Sequence, residues 1–99
     1  RYILYMDFEW DPKKNDDNQR KHGVRFEEAT EIWRQVHLEV EELAHSKDGE
    51  ERGATLGWIG EKTYVAVWTR RGDKMRLISV RRARKNEEKV LFEKLRDRR

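Results

Sequence analysis

The sequence predicts an α+β domain: an antiparallel sheet, two helices in the N-terminal half and a short helix at the C-terminal end. Three observations lead there. Short alternating segments rich in β-branched and aromatic residues crowd residues 52–82. Two segments before them, and one after, carry helix caps or helical spacing instead. The 99 residues, 35% of them hydrophobic, suit one domain spanning 1–99.

The opening "RYILYMDF" alternates Tyr2, Leu4, Met6 and Phe8 against Ile3 and Tyr5, apolar on both faces, and reads as an interior strand. In "WDPKKNDDNQRKHG", Asp11 is an N-cap, Pro12 suits the first helical position and Gly23 the left-handed position after the last turn. This predicts a helix over 12–22. It has almost no apolar residue, so Trp10 and Val24 at its ends are the expected anchors. Phe26, Ala29, Ile32, Trp33 and Val36 recur at helical spacing, with Glu27 and Glu28 in the first turn but no acceptor at Arg25.

"VHLEVEELA" alternates as a strand until Leu43 and Ala44, and "HSKDGEERG" reads as a loop. "GATLGWIG", "KTYVAVWTRR" and "KMRLISVRR" follow as three strands, joined by tight turns at "GEK" and "RGDK" into a meander. In the last segment Asn86 is the expected cap, and Val90, Leu91, Phe92 and Leu95 would rest on the sheet or on a partner.

Charge divides the chain. Residues 1–50 hold 8 basic and 13 acidic side chains and residues 51–99 hold 15 and 7, giving −5 and +8. "RRGDKMRLISVRRARK" (70–85) has eight Lys or Arg against one Asp. Such a concentration attracts polyanions, nucleic acid above all, or else docks an acidic protein. Without cysteine there are no disulfides, thiolate metal sites or thiol nucleophiles, and an intracellular, cytoplasmic location is expected. No apolar run has the roughly 20 residues that cross a bilayer, and the opening is too short and too quickly acidic for a signal peptide.

His22, His37 and His45 are scattered, and neither a phosphate loop nor a serine nucleophile motif occurs, so no metal or cofactor is expected. What remains is a polar helix and an arginine-rich sheet. Lys14, Asn18 and Lys21 share a helix face that His22 borders, a stripe suited to phosphate, although helix-terminal Lys and His also arise simply because they favour the macrodipole. Strand alternation puts Arg81 on the face of Met75, Leu77 and Ser79, where an arginine is either paired with an acid or aimed at a ligand.

The segments "FEWDPKKNDDNQRKHGVRFEEA", "DGEERGATLG" and "TRRGDKMRLISVRRARKNEE" occur in that order. Together they resemble the BrnT toxins of bacterial type II toxin–antitoxin systems, from Phe8 to about Leu95. The resemblance implies a RelE-like fold, metal-free RNA cleavage that inhibits translation, and a hetero-oligomeric complex with a BrnA-like antitoxin that alone contacts operator DNA. The family's residues fall on Lys14, Asn18, Lys21, His22, Gly23, Glu51, Arg52, Ser79, Arg81, Ala83 and Glu87. Arg25 stands where the family usually has a capping serine, Asn15 and Val80 where alanine is common, and no tyrosine follows Glu87.

Under this resemblance His22 is the expected general acid or base, imidazole being the side chain that most often moves protons in catalysis. Lys21, Arg52 and Arg81 would hold the scissile phosphate, while Lys14, Asn18, Arg70 and Arg76 would bind RNA beyond it. Trp10 and Trp58 are expected to pack, and to stack on bases only if exposed. The alternative is a non-catalytic module that binds nucleic acid or an antitoxin through the same basic face.

Overall fold

The computed structural model describes residues 7–40 and 52–97. In chain order the elements are β1 (Asp7–Glu9), α1 (Pro12–His22), α2 (Phe26–Ala29) extended by a 3-10 turn (Thr30–Arg34), β2 (His37–Glu39), β3 (Arg52–Ile59), β4 (Lys62–Arg71), β5 (Lys74–Arg82) and α3 (Lys85–Asp97). The five strands form one sheet in the order β1-β5-β4-β3-β2. The α+β class holds, and β3–β5 form the expected meander, turning at Gly60 and Gly72, both with φ +62°.

One edge departs from the antiparallel expectation. β1 runs parallel to β5, Phe8 opposite Met75, so within the described residues this strand is an edge and not interior. Alternating apolar residues tell which faces of a strand are covered, not how many neighbours it pairs with. Phe8 faces Trp33 at 5.1 Å between ring centroids, and the earlier alternating residues lie outside the described part. The predicted loop over 45–53 and the break at Leu43 and Ala44 also lie outside it, except Arg52 and Gly53, which belong to β3.

The α1 caps are as the sequence predicts. The Asp11 carboxylate accepts from the Lys13 amide at 2.9 Å, and Gly23, at φ +75°, donates to the Gln19 carbonyl. What anchors this polar helix is different: besides Val24 and a Trp10–Phe26 edge contact, two buried asparagines hold it. Asn18, 4% exposed, donates to the Val24 and Val80 carbonyls and accepts from the Val80 amide, all at 2.9 Å. Asn15, 2% exposed, donates to Glu27 and accepts from the Phe26 amide at 2.7 Å.

Asn15 thereby partners the first amide of α2, which a capping side chain at Arg25, accepting from the second or third amide, would not serve. The Phe26 amide opens α2 and has no partner within its own helix, and the guanidinium of Arg25 has no acceptor to offer it. The amide turns to Asn15 instead, while the Glu28 carboxylate reaches back to the Arg25 amide at 2.9 Å. Asn15→Ala is therefore expected to cost about 1–3 kcal/mol in urea denaturation, because the buried Phe26 amide is left without a partner. An unchanged midpoint in Asn15→Ala would contradict this anchoring role.

The second helix is shorter than its spacing predicts. After Ala29 it tightens into the 3-10 turn, Gln35 is extended, and Val36 is left exposed. Ile32 and Trp33 are buried, Ile32 against β3 where Gly57 has no side chain to displace it.

The sheet separates two apolar clusters. On one face Val24, Phe26, Ala29, Ile32 and Trp33 pack on Ala66, Trp68, Met75, Leu77 and Val80. On the other, Leu91 of α3 packs on Ala54, Leu56 and Val65. The switch that matters is a β-bulge. Val67 pairs with Ser79 but Trp68 pairs with Leu77, leaving Ile78 unopposed. Past this extra residue the alternation inverts, so Arg81, opposite Val65, lies on the α3 face and not with Met75 and Leu77 as simple alternation predicts.

The last helix begins one residue before its expected cap. Asn86 is exposed inside the first turn, and Glu87 accepts from the Arg84 amide at 2.7 Å instead. Of its apolar residues Leu91 is buried, Val90 is exposed, and Phe92, about half exposed, stacks on Trp58 at 5.8 Å. No helix of the described residues is long and apolar enough to cross a membrane.

Candidate functional site

Strand geometry sorts the basic residues before any chemistry is considered, because successive side chains point to opposite faces. Arg52 opens β3 in register with Thr69, and Thr69 is in register with Arg76, so the three lie in one row across the sheet. Ser79 lies opposite Val67, and Arg81 opposite Val65 in the neighbouring row. With the bulge taken into account, Arg52, Arg76, Ser79 and Arg81 share the α3 face. The helix packs on β2 and β3 at one side of that face.

The three arginines are held differently. Arg76 is balanced by Glu9 of β1 at 3.4 Å, each about one-third exposed. Arg81 is clamped end-on by Glu87: Nη1 and Nη2 donate to its two carboxylate oxygens at 3.0 and 2.8 Å, and Nη1 also donates to the Arg82 carbonyl. Arg52 has a buried Nε with no hydrogen-bond partner. A buried donor of a charged group left unmade is costly, and an anion would satisfy it.

Glu87 and Arg81 reinforce each other. Hydrogen bonds from Arg81, aided by the Arg84 amide, hold the Glu87 carboxyl below its ordinary value of 4.5 despite burial, and Glu87 in turn raises Arg81. The sign for stability follows. Glu87 is ionised in the fold at a pH where an unfolded chain would bind a proton, so its contribution is full above the ordinary value and fades as pH falls through the lowered one. Melting temperature is expected to drop as pH falls below the ordinary carboxylate value of 4.5, and less steeply in Glu87→Gln. Parallel slopes in the two proteins would count against the pair.

The other candidates lie elsewhere. Lys14, Lys21 and His22 are exposed on α1, which packs against the opposite face of the sheet, and they make no hydrogen bond or ion pair to a described residue. Asn18 shares their helix but is a correction: its amide is buried and spent on Val24 and Val80, leaving nothing for phosphate. Arg70 lies over Trp68 at 5.6 Å, also on the α1 side. Trp10 packs on the α1 and α2 cluster and Trp58 on the α3 cluster, both partly buried. The helix stripe and Arg52, Arg76 and Arg81 therefore do not assemble into one site around His22. Glu51 lies outside the described residues.

Sequence reasoning left Arg81 either paired with an acid or aimed at a ligand, and the structure pairs it with Glu87. The signal was present in the short spacing between a strand-end arginine and a glutamate in the first turn of the next helix. Glu9, as the partner of Arg76, left no signal, because it depends on β1 joining that edge. Among the described residues no group of three or more His, Asp or Glu could hold a metal ion.

The α3 face of the sheet thus carries a clamped arginine, a balanced arginine and one with an unsatisfied Nε, the residue type suited to holding anions in a fixed geometry. The anion is named by kinship. The chain belongs to the BrnT family: the model described as "Ribonuclease toxin, BrnT, of type II toxin-antitoxin system" matches residues 10–87. Its RNA target and its antitoxin partner follow from that membership. No curated protein matches it.

Proposed function

We propose that this BrnT-family toxin is a metal-independent endoribonuclease that inhibits translation by cutting RNA in the cytoplasm. In this reading a BrnA-like antitoxin silences it in a hetero-oligomer, and operator DNA is reached only through that antitoxin. The observation that carries the chemical part is the Arg81 guanidinium, fixed in plane by both carboxylate oxygens of Glu87. As the ribose 2′-OH bonds to the adjacent phosphorus, the bond to the 5′-oxygen breaks and leaves a 2′,3′-cyclic phosphate. The 2′-OH proton passes to solvent water, the 5′-oxygen takes one from it, and negative charge gathers on the non-bridging oxygens. Guanidinium groups fixed beforehand stabilise that charge more than they stabilise the ground state. Arg81 takes this role, with Arg52, four residues away in register, Arg76 and other cations of the 70–85 segment drawing in the RNA backbone. His22, on the α1 side of the sheet, is given no proton-transfer role.

One observation favours the second reading, a module that binds without cutting. The carboxylate nearest Arg81 is Glu87, whose lowered pKa makes it a poor base. Purified protein incubated with RNA in EDTA separates the two. Shortened RNA is expected; intact RNA whose binding weakens steeply with salt would select the binding module. Cleavage that stops in EDTA and returns with a divalent ion would remove the metal-independent part. Growth arrest on expression, relieved by the co-expressed antitoxin, checks the translation-inhibiting role.

A further inference from the structure

We propose that Glu87 is a positioning residue that presents one edge of Arg81 to the scissile phosphate, an inference that rests on reading Arg81 as a phosphate ligand. A guanidinium has five N–H groups, arranged as an end-on fork and a side-on fork with one hydrogen to spare. Glu87 occupies the end-on fork through Nη1 and Nη2, and the Arg82 carbonyl takes the spare hydrogen of Nη1. What is left is Nε–H and the second Nη2–H, parallel donors on the side edge with no partner among the described residues. That pair matches two oxygens of a phosphodiester bidentately. Phosphate therefore need not displace Glu87; it adds to the opposite side of a guanidinium already fixed in plane.

Glu87 is itself fixed. Its side chain is 11% exposed, it sits in the first turn of α3, and it accepts the Arg84 amide as well as Arg81. The arginine's orientation is thus referred to the backbone at the start of α3, one loop away from the end of β5. A flexible side chain held this way loses little freedom when the substrate arrives, and small errors in placement are costly in the transition state.

A carboxylate beside an RNA-binding arginine would be a liability if only charge mattered, and this gives the test its sign. Charge alone predicts that Glu87→Gln binds RNA more tightly and cuts at least as fast. Positioning predicts that kcat falls about 10- to 100-fold while KM stays level or drops. The experiment is steady-state cleavage of a defined RNA by the full chain, for wild type, Glu87→Gln, Glu87→Asp and Arg81→Ala, with circular dichroism of each. Glu87→Asp keeps the charge but withdraws the carboxylate by one methylene, and an intermediate loss in kcat is expected. A folded Glu87→Gln or Glu87→Asp with wild-type kcat, while Arg81→Ala is inactive, overturns the positioning role and leaves the functional reading standing. If the Gln variant does not fold, the Asp variant alone decides. Undiminished cleavage by Arg81→Ala instead overturns the reading of Arg81 itself, and the positioning role with it.

Discussion

Arg81→Ala is expected to reduce RNA cleavage by about 10²–10³-fold, the usual cost of removing one preorganised donor from the developing charge of a transition state. The loss should fall on turnover more than on RNA binding, because many other cations contribute long-range attraction to the backbone. It should not arise from unfolding alone. Truncating Arg81 leaves Glu87 without its strongest partner, but Glu87 is partly exposed and keeps the Arg84 amide, so thermal melts should remain cooperative. His22→Ala is the companion experiment. Its imidazole lies on the α1 side of the sheet and makes no bond to a described residue, so cleavage within a few-fold of wild type is expected. If instead His22→Ala were as inactive as Arg81→Ala in the same RNA assay, the arginine face would not be the site of chemistry by itself.

The second large effect concerns stability. Asn18→Ala is expected to destabilise the domain by roughly 3–5 kcal/mol, read from the urea midpoint. Three backbone groups depend on this one amide: the Val24 carbonyl, the Val80 carbonyl and the Val80 amide. All are buried where water does not easily replace the lost partner, and each unmade bond costs about 1–3 kcal/mol. The loss also unpins α1 from β5, which few apolar contacts hold together. Asn18→Asp would not substitute, because a carboxylate cannot donate to either carbonyl. A change below about 1 kcal/mol in Asn18→Ala would mean that α1 is held chiefly by Trp10 and Val24.

This asparagine also marks how far sequence reading reaches. Its spacing from Lys14 and Lys21 puts it on a polar stripe, and nothing local says that the stripe is half turned inward. Helical position gives a direction around the axis, but the partner of that direction is β5, 62 residues later. Asn15 is similar. As a departure from a common alanine it looks neutral, and only its contact with the Phe26 amide gives it a role.

The arginines show the same limit in the sheet. Alternation placed Met75 and Leu77 correctly, then failed for Arg81, because a single unopposed residue, Ile78, inverts every side chain after it. A bulge leaves no clear mark in composition; it is a property of how two strands fit together.

What the sequence determined by itself was local: the capped α1, the three-strand meander with glycine at its turns, the acidic start of α3, the basic C-terminal half, and the motif order shared with BrnT. Each is set within a few residues by backbone preferences, caps and periodicity. The tertiary structure alone decided which strand edge β1 occupies, that the α1 cations lie on the face opposite Arg52, Arg76 and Arg81, and that Arg81 meets Glu87. Those are long-range pairings, governed by register and packing between segments that no short window of sequence contains.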